Sequence, residues 1–374
     1  MIKSLYLCSM DFNINDITGE SKKVKEQVSG FKNLGIDITL FEPKYQEKSI
    51  RKILRRLPFY PEFGLGYWKQ LQPYITKEID FIYIRMSVID RGFISLLKKI
   101  KQKSSKTKIV LEIPTYPYEK EWTRFIDIPF VLKDRLNRSK LKKYIDMIVT
   151  PASYDEIYGI STISINNAIN VKHFYIKEGI DEKKITFIAV AHVRKCHGFD
   201  RVIKGLKLYY ESIKQGEPEV HFCIAGDGEE INNLIKLTRD SNVEPYVHFL
   251  GKVTGNELEA VLEKSNLAIG TLAPHRINLK ETRSLKHREY CAEGVPFIYA
   301  GEDIGFPEDF KFAMRVPDNG AELDIKEIVD FYLKLNQELG AQEIVSAMQA
   351  YAKKSLSWDT EMKKVIEGLH DENL

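Results

Sequence analysis

Five short runs rich in β-branched and aromatic residues, SLYLCSM, IDITLFE, FIYIRMS, KIVLEIP and DMIVTPA, recur through the first half of the chain with helix-length segments between them. Runs that are apolar at consecutive rather than alternate positions are the mark of strands buried on both faces. Strands separated by helical crossovers return in the same direction, so the sheet is parallel and helices cover both of its faces. The rhythm then restarts with ITFIAVA, VHFCIAG, YVHFLG, NLAIGTL and VPFIYAG. At 374 residues the chain exceeds the usual single core. Two doubly wound α/β domains in tandem are predicted, over 1–172 and 173–355, divided near NNAINVKHFYIKEG. The amphipathic stretch LSWDTEMKKVIEGLH, within 356–374, is predicted to close the chain as a helix packing back on the first domain.

Composition narrows the class. Apolar residues at 43% and charged residues at 29% are those of a soluble globular protein, and no run approaches the ~18 apolar residues of a spanning helix. The opening MIKSLYLCSMDF reads as a first strand without a signal pattern, and the four cysteines are scattered, so a cytoplasmic protein with free thiols is expected. Charge is uneven: residues 1–176 hold 30 Lys+Arg against 19 Asp+Glu, the remainder 26 against 34. Any basic partner surface belongs to the first half. One candidate is QEKSIRKILRRLPFYPEFGLGYW, where Arg51, Lys52, Arg55 and Arg56 surround apolar side chains; a second is RFIDIPFVLKDRLNRSKLKKY. Such stretches either lie peripherally on the anionic cytoplasmic membrane face or pack their apolar side on the core with the cations in water. Nucleic acid is not expected, because no stacking aromatic motif accompanies the cations.

The stretch ETRSLKHREYCAEGVPF sits between two predicted strands of the second half, and SLKHREYCAEG has helical spacing that ends at Gly294. Glu281 is thereby placed in a loop and Glu289 one to two turns inside a helix. The helix start, Ser284 to His287, offers unpaired N–H groups to an anion, with Arg283 and Lys286 beside it. A carboxylate at such a place accepts hydrogen bonds from vicinal ribose hydroxyls. As bare spacing, two glutamates eight apart also describe a solvated helix face.

In its context the stretch resembles the retaining glycosyltransferases of family 4, in which two glutamates so spaced precede a pattern like E-A-x-A-x-G-x-P-V. Glu289 to Phe297 matches that frame, and the first glutamate falls on Glu281. Further segments agree in order: ITFIAVAHVRKCHGFDRVIKGLKLY, VHFCIAGDGEEINNLIKL with Gly226 at its turn, and VHFLGKVTGNELEAVLEKSNLAIGTL. The resemblance implies a GT-B fold, two Rossmann-like domains facing a central cleft. It implies a retaining hexosyltransferase that uses a UDP- or GDP-linked sugar as donor and a glycan or lipid-linked acceptor, as in surface polysaccharide synthesis.

Carried over position by position, Glu281 and His197 are the implied catalytic residues and Glu289 the ribose ligand. Gly19, His192, Arg194, Lys195, Gly226, Arg276, Ser284, Leu285 and Lys286 complete the donor site. The chain departs from the family where an Arg and a Lys normally meet the diphosphate: His192 and His197 stand there. Arg194, Lys195, Arg276 or Lys286 would then supply the charge. The His usual after the KIVLEIP strand is missing, leaving Glu112, Thr115 and Tyr116 as the polar groups on the acceptor side. No D-x-D pair and no cluster with metal-ligand spacing occurs, so neither metal nor other cofactor is expected. The displaced residues leave open a non-catalytic partner subunit of the same fold that binds a glycan or another transferase, or a nucleotide-sugar epimerase.

Overall fold

Parallel strands buried on both faces organise each half of the chain. The computed structural model describes residues 2–9, 14–15, 19–43, 57, 60, 65–86, 88–118, 128–171 and 183–370. These form two compact units, one from Met1–Asn166 with Trp358–Leu374 and one from Asn167–Ser357.

In the first unit the chain runs through β1 (Lys3–Leu7), α1 (Gly19–Asn33), β2 (Asp37–Phe41), α2 (Leu65–Leu71), β3 (Phe81–Arg85), α3 (Arg91–Lys103) and β4 (Lys108–Glu112). It continues through α4 (Ile128–Asn137), β5 (Met147–Thr150), β6 (Glu156–Ile157) and β7 (Ile160–Ser164). The sheet order is β2-β1-β3-β4-β5-β7-β6, parallel throughout except for the β6–β7 pair. Every residue of β3 and β5 is buried, which is why their sequences read as unbroken apolar runs. Asp90 caps α3 by accepting from the Phe93 N–H at 2.8 Å.

The second unit comprises β8 (Lys184–Val190), α5 (Phe199–Ser212), β9 (Glu219–Ala225), α6 (Ile231–Asp240), β10 (Val247–Gly251), α7 (Asn256–Glu263) and β11 (Leu267–Ile269). Then follow β12 (Glu281–Thr282), α8 (Leu285–Ala292), β13 (Phe297–Ala300), β14 (Glu302–Asp303), β15 (Ala313–Val316), α9 (Ile325–Leu339) and α10 (Ala341–Ser355). Its six-stranded sheet is ordered β10-β9-β8-β11-β13-β15 and is parallel throughout. This is the doubly wound order of a dinucleotide-binding domain. The pair β12–β14 forms a separate two-residue parallel ladder.

The last helix, α11 (Trp358–His370), belongs to the first unit and lies against α1. Gly30 permits this approach: a Cβ there would stand 2.9 Å from the Trp358 backbone. Trp358 is buried, and its indole N–H donates to Glu26 at 3.0 Å.

A charged group lies inside the first unit where β3 and β4 end. Arg85 and Glu112 are register partners, and Glu112 has no exposed surface. Arg85 Nη1 donates to its carboxylate at 2.5 Å, Lys23 Nζ lies 3.5 Å away, and the Tyr6 hydroxyl donates at 3.3 Å. Burial pushes the Glu112 pKa up, but Arg85, Lys23 and the hydrogen bonds outweigh it and hold the carboxyl at about 2. The expected acceptor-side role for Glu112 is therefore corrected: the residue is enclosed and ties adjacent strands together. Removing one partner strands the other charge, so R85A is expected to lower the unfolding free energy by about 3–5 kcal/mol. The double variant R85M/E112L should recover at least half of that loss in urea unfolding. An R85A protein as stable as the wild type would contradict this account.

Candidate functional site

The sheet of the second unit reverses its winding between β8 and β11, so the loops leaving these two strands diverge and open a crevice at their carboxyl ends. Tyr290 of α8 joins the two strands there, accepting from the Val190 N–H at 2.9 Å and donating to the Ile269 carbonyl at 3.3 Å. The β11 loop is held to the β8 loop by Leu272 N–H to His197 O (3.1 Å) and Ala273 N–H to Cys196 O (3.0 Å).

Glycine makes the β8 loop possible. Gly226 has φ +138°, and a Cβ on it would fall 1.8 Å from the Ala191 carbonyl oxygen; on Gly228 it would fall 2.3 Å from that of Val193. The turn after β9 thus presses directly on residues 191–193. Beyond them a 3₁₀ turn, Lys195–His197, ends at Gly198 (φ +64°), which is also the first residue before α5. The glycine provides no side-chain cap, and in the first turn of α5 the Arg201 N–H donates to the Gly198 carbonyl at 3.0 Å. The Arg194 N–H donates to His197 Nδ1 at 3.0 Å, which puts the ring proton of a neutral imidazole on Nε2. Burial, Lys286 and Arg194 push the pKa of His197 down to about 3. At neutral pH His197 is an uncharged donor and brings no cation to the crevice.

Helix α8 begins in the same place, and one buried carboxylate fixes it. Asp303 Oδ2 lies 2.8 Å from His287 Nδ1 and accepts from Thr282 Oγ1 (3.3 Å) and the Ser284 N–H (3.4 Å). Its Oδ1 accepts from the Gly305 N–H at 3.0 Å and lies 3.2 Å from Arg288 Nη2. Because His287 Nε2 accepts from the Thr271 N–H at 3.1 Å, the imidazole proton is on Nδ1, facing Asp303. Burial lowers the His287 pKa against the pull of Asp303, keeping the ring neutral. Burial raises that of Asp303, but His287 and Arg288 more than offset this, and the carboxyl lies below its ordinary range. Gly270 is required beside the network, since a Cβ there would meet His287 Nε2 at 2.4 Å. Asp303, His287 and Arg288 are structural residues that sequence reasoning passed over. The one available signal was an acid three residues beyond a strand, in AGED.

This network points Lys286 into the crevice. Its Nζ is shielded from solvent and makes no hydrogen bond, although the rest of the side chain keeps some exposure. The ammonium lies 5.8 Å from the centroid of the Phe199 ring, and the His197 ring stacks on that same phenylalanine at 5.4 Å. Burial lowers the Lys286 pKa to about 7, against the opposing pull of Cys196 and Glu289. No side chain caps the first turn of α8. The crevice therefore holds an unpaired amine, an imidazole N–H and the N-termini of two helices, α5 and α8. Such a set receives an anion carrying several oxygens.

The other predicted site residues fall into distinct places. Arg276 is tied to the β8 loop and α5: it is bidentate to Asp200 at 2.7 and 3.0 Å and donates to the Lys195 carbonyl at 3.1 Å. His192, Arg194 and Lys195 are exposed on the β8 loop. Ser284 and Leu285 begin α8, and Glu289 lies half-buried one turn further on. Glu281 is in the β12 ladder rather than a loop, exposed and 3.2 Å from Arg283 Nη2. In the first unit, Gly19 is the first residue of α1, Thr115 is exposed, and Tyr116 is half-buried among the rings of Tyr118, Tyr154 and Tyr158. Arg51, Lys52, Arg55 and Arg56 lie outside the described residues. Among the described residues no helix is long and apolar enough to cross a membrane, and no cluster of three or more metal-ligating side chains occurs.

Residues 172–354 match the family described as glycosyl transferases group 1. A curated relative, alpha-monoglucosyldiacylglycerol synthase of Streptococcus pneumoniae, is 22% identical over 132 residues, 35% of this chain and 28% of the relative. The match thus spans under a third of that relative. Among solved structures, a glycosyltransferase from Rickettsia africae superposes with a TM-score of 0.58 at 13% identity, covering 98% of this chain and 97% of the other. Anabaena Alr3699/HepE, solved in complex with UDP, gives 0.55 at 13% identity over 98% and 99%. Sucrose-phosphate synthase from Thermosynechococcus elongatus gives 0.55 at 12% identity over 98% and 99%. At these identities the likeness is one of fold, the GT-B arrangement of Rossmann-like domains.

A lysine whose folded pKa lies below its unfolded value binds fewer protons when folded between the two, so its cost is greatest at low pH and fades as pH rises. K286M is therefore expected to melt above the wild type at pH 6, by about 2–4 °C, with the gap closing towards pH 10. Equal melting temperatures at pH 6 would contradict a buried, unpaired Lys286.

Proposed function

With a glycosyl transferases group 1 domain over residues 172–354 and a GT-B fold as premise, we propose that the protein is a retaining hexosyltransferase that moves a sugar from a UDP- or GDP-linked donor to a glycan or lipid-linked acceptor. The observation that carries the reading is the convergence of Lys286 Nζ, the His197 ring and two uncapped helix N-termini at the switch point of the sheet. A nucleoside diphosphate brings the oxygens this set lacks. The ligands of structural neighbours support the same class: HepE has been solved with UDP and with UDP-glucose. The streptococcal relative is by name a glucolipid synthase.

In this proposal Lys286, the first N–H groups of α8 and His197 Nε2–H hold the diphosphate. Arg194 and Lys195, exposed on the neighbouring loop, add long-range attraction. Gly226 and Gly198 keep the loop backbones free of side chains. Glu289 accepts from the ribose hydroxyls and Glu281 positions the sugar. The bond from the anomeric carbon to the diphosphate oxygen breaks as the acceptor oxygen joins the same face. The acceptor proton passes to the departing diphosphate, so no strong protein base is demanded. The charge that develops on the leaving group meets Lys286 and the helix dipoles, which supply the stabilisation without a metal. Thr115 and Tyr116 of the first unit are assigned to the acceptor side, in a surface polysaccharide or glycolipid pathway.

The test is hydrolysis and transfer with a panel of UDP- and GDP-sugars. Turnover of at least one donor is expected, with E289A raising its KM about 10–100-fold through loss of charge-assisted hydrogen bonds and E281A lowering kcat. Binding of a donor without turnover would assign the non-catalytic reading instead, and neither binding nor turnover would overturn the donor site altogether.

A further inference from the structure

Helix α4 is built inside out. Its buried residues are Lys133, Asp134 and Asn137, whereas Ile128, Leu132 and Leu136 are 49%, 50% and 68% exposed. These three apolar side chains are four residues apart, which aligns them along one face of the helix. The inward polar groups have specific partners: Lys133 Nζ donates to the Tyr60 carbonyl at 2.8 Å, Asp134 Oδ1 accepts from the Tyr118 hydroxyl at 2.7 Å, and Arg138 Nη1 lies 3.5 Å from Asp134 Oδ2. Asn137 donates to the Lys133 carbonyl at 2.7 Å. The reversal is thus held by specific bonds, and an amphipathic helix resting its apolar side on the core would show the opposite arrangement.

The charge around the stripe is one-sided. Arg135, Lys140, Lys142 and Lys143 are exposed on α4 and the 3₁₀ turn Arg138–Lys143 that follows it. Between residues 128 and 145 the one acid is Asp134, which is buried. Leu57, a further exposed apolar side chain, lies three residues before Tyr60, whose carbonyl is tied to α4.

We propose that this face of the first unit docks on a membrane leaflet containing anionic phospholipid, with Ile128, Leu132 and Leu136 entering the acyl boundary and the four cations meeting the headgroups. An apolar stripe flanked by cations without exposed acids is the composition of an interfacial helix. A second copy of the chain is a poor occupant, because a self-complementary contact would set the same cations against each other. The inference stands on α4 and is independent of the transferase reading.

The experiment is co-sedimentation of the full chain with phosphatidylcholine vesicles, with and without phosphatidylglycerol, at low salt and without sugar nucleotide. The wild type is expected to bind only the vesicles with phosphatidylglycerol. L132S/L136S, which leaves the charge unchanged, and K140Q/K142Q/K143Q are each expected to weaken partition by about tenfold. All five leucine and lysine sites changed in these variants are exposed, and circular dichroism with melting checks that each variant folds. Failure of the wild type to bind the anionic vesicles would overturn the proposal, as would unchanged binding of L132S/L136S. Self-association of the wild type that L132S/L136S abolishes would assign the stripe to a second copy and overturn it too.

Discussion

Asp303 is the charge on which the geometry of the second unit's crevice depends. It joins the turn before α8 to His287 and Arg288 inside that helix, and through His287 to the Thr271 N–H at the end of β11. A buried carboxylate is tolerated only when it is paired and hydrogen-bonded, and here its partners are the elements that line the crevice. With α8 so fixed, the Lys286 amine in its first turn lies 5.8 Å from the Phe199 ring at the start of α5, shielded and without a hydrogen bond. The cost of leaving that amine desolvated and unpaired is borne by the rest of the fold, as strained or unsatisfied groups at functional sites usually are.

The first unit uses the same device at the same structural address. Glu112 and Arg85 meet where β3 and β4 end, near the start of α1, and the pair is drawn into a wider set with Lys23, Tyr6 and Glu20. In both units the buried carboxylate is paired with an arginine and hydrogen-bonded. Each holds a strand end against a helix, and loops with freer geometry grow from these fixed ends.

Strands were legible where burial on both faces writes an unbroken apolar run, as in β3, β5 and β8, and the α/β class followed from their alternation with helices. The strands β7, ISTIS, and β15, AMRV, lacked that signature because they are only partly buried. The helix carrying Glu289 was legible from its spacing and its terminal glycine. Lys286 was legible as a cation at the helix start, but nothing in the sequence set His287 and Arg288 apart from it: the ring and the guanidinium are buried on Asp303, and the lysine Nζ is left without a hydrogen bond. Pairing across 15 or 16 positions of sequence carries no local period. The pairing of Arg276 with Asp200 was hidden for the same reason, since the two lie far apart in sequence. The inversion of α4 was hidden because periodicity shows that a helix has two faces and not which of them turns inward.

A crystal structure of the protein with UDP bound addresses the central claim most directly. The account predicts diphosphate oxygens within about 3 Å of Lys286 Nζ and of the N–H groups in the first turn of α8, with Asp303, His287 and Arg288 unmoved. UDP seated elsewhere, with the Lys286 amine still unpaired, would contradict it.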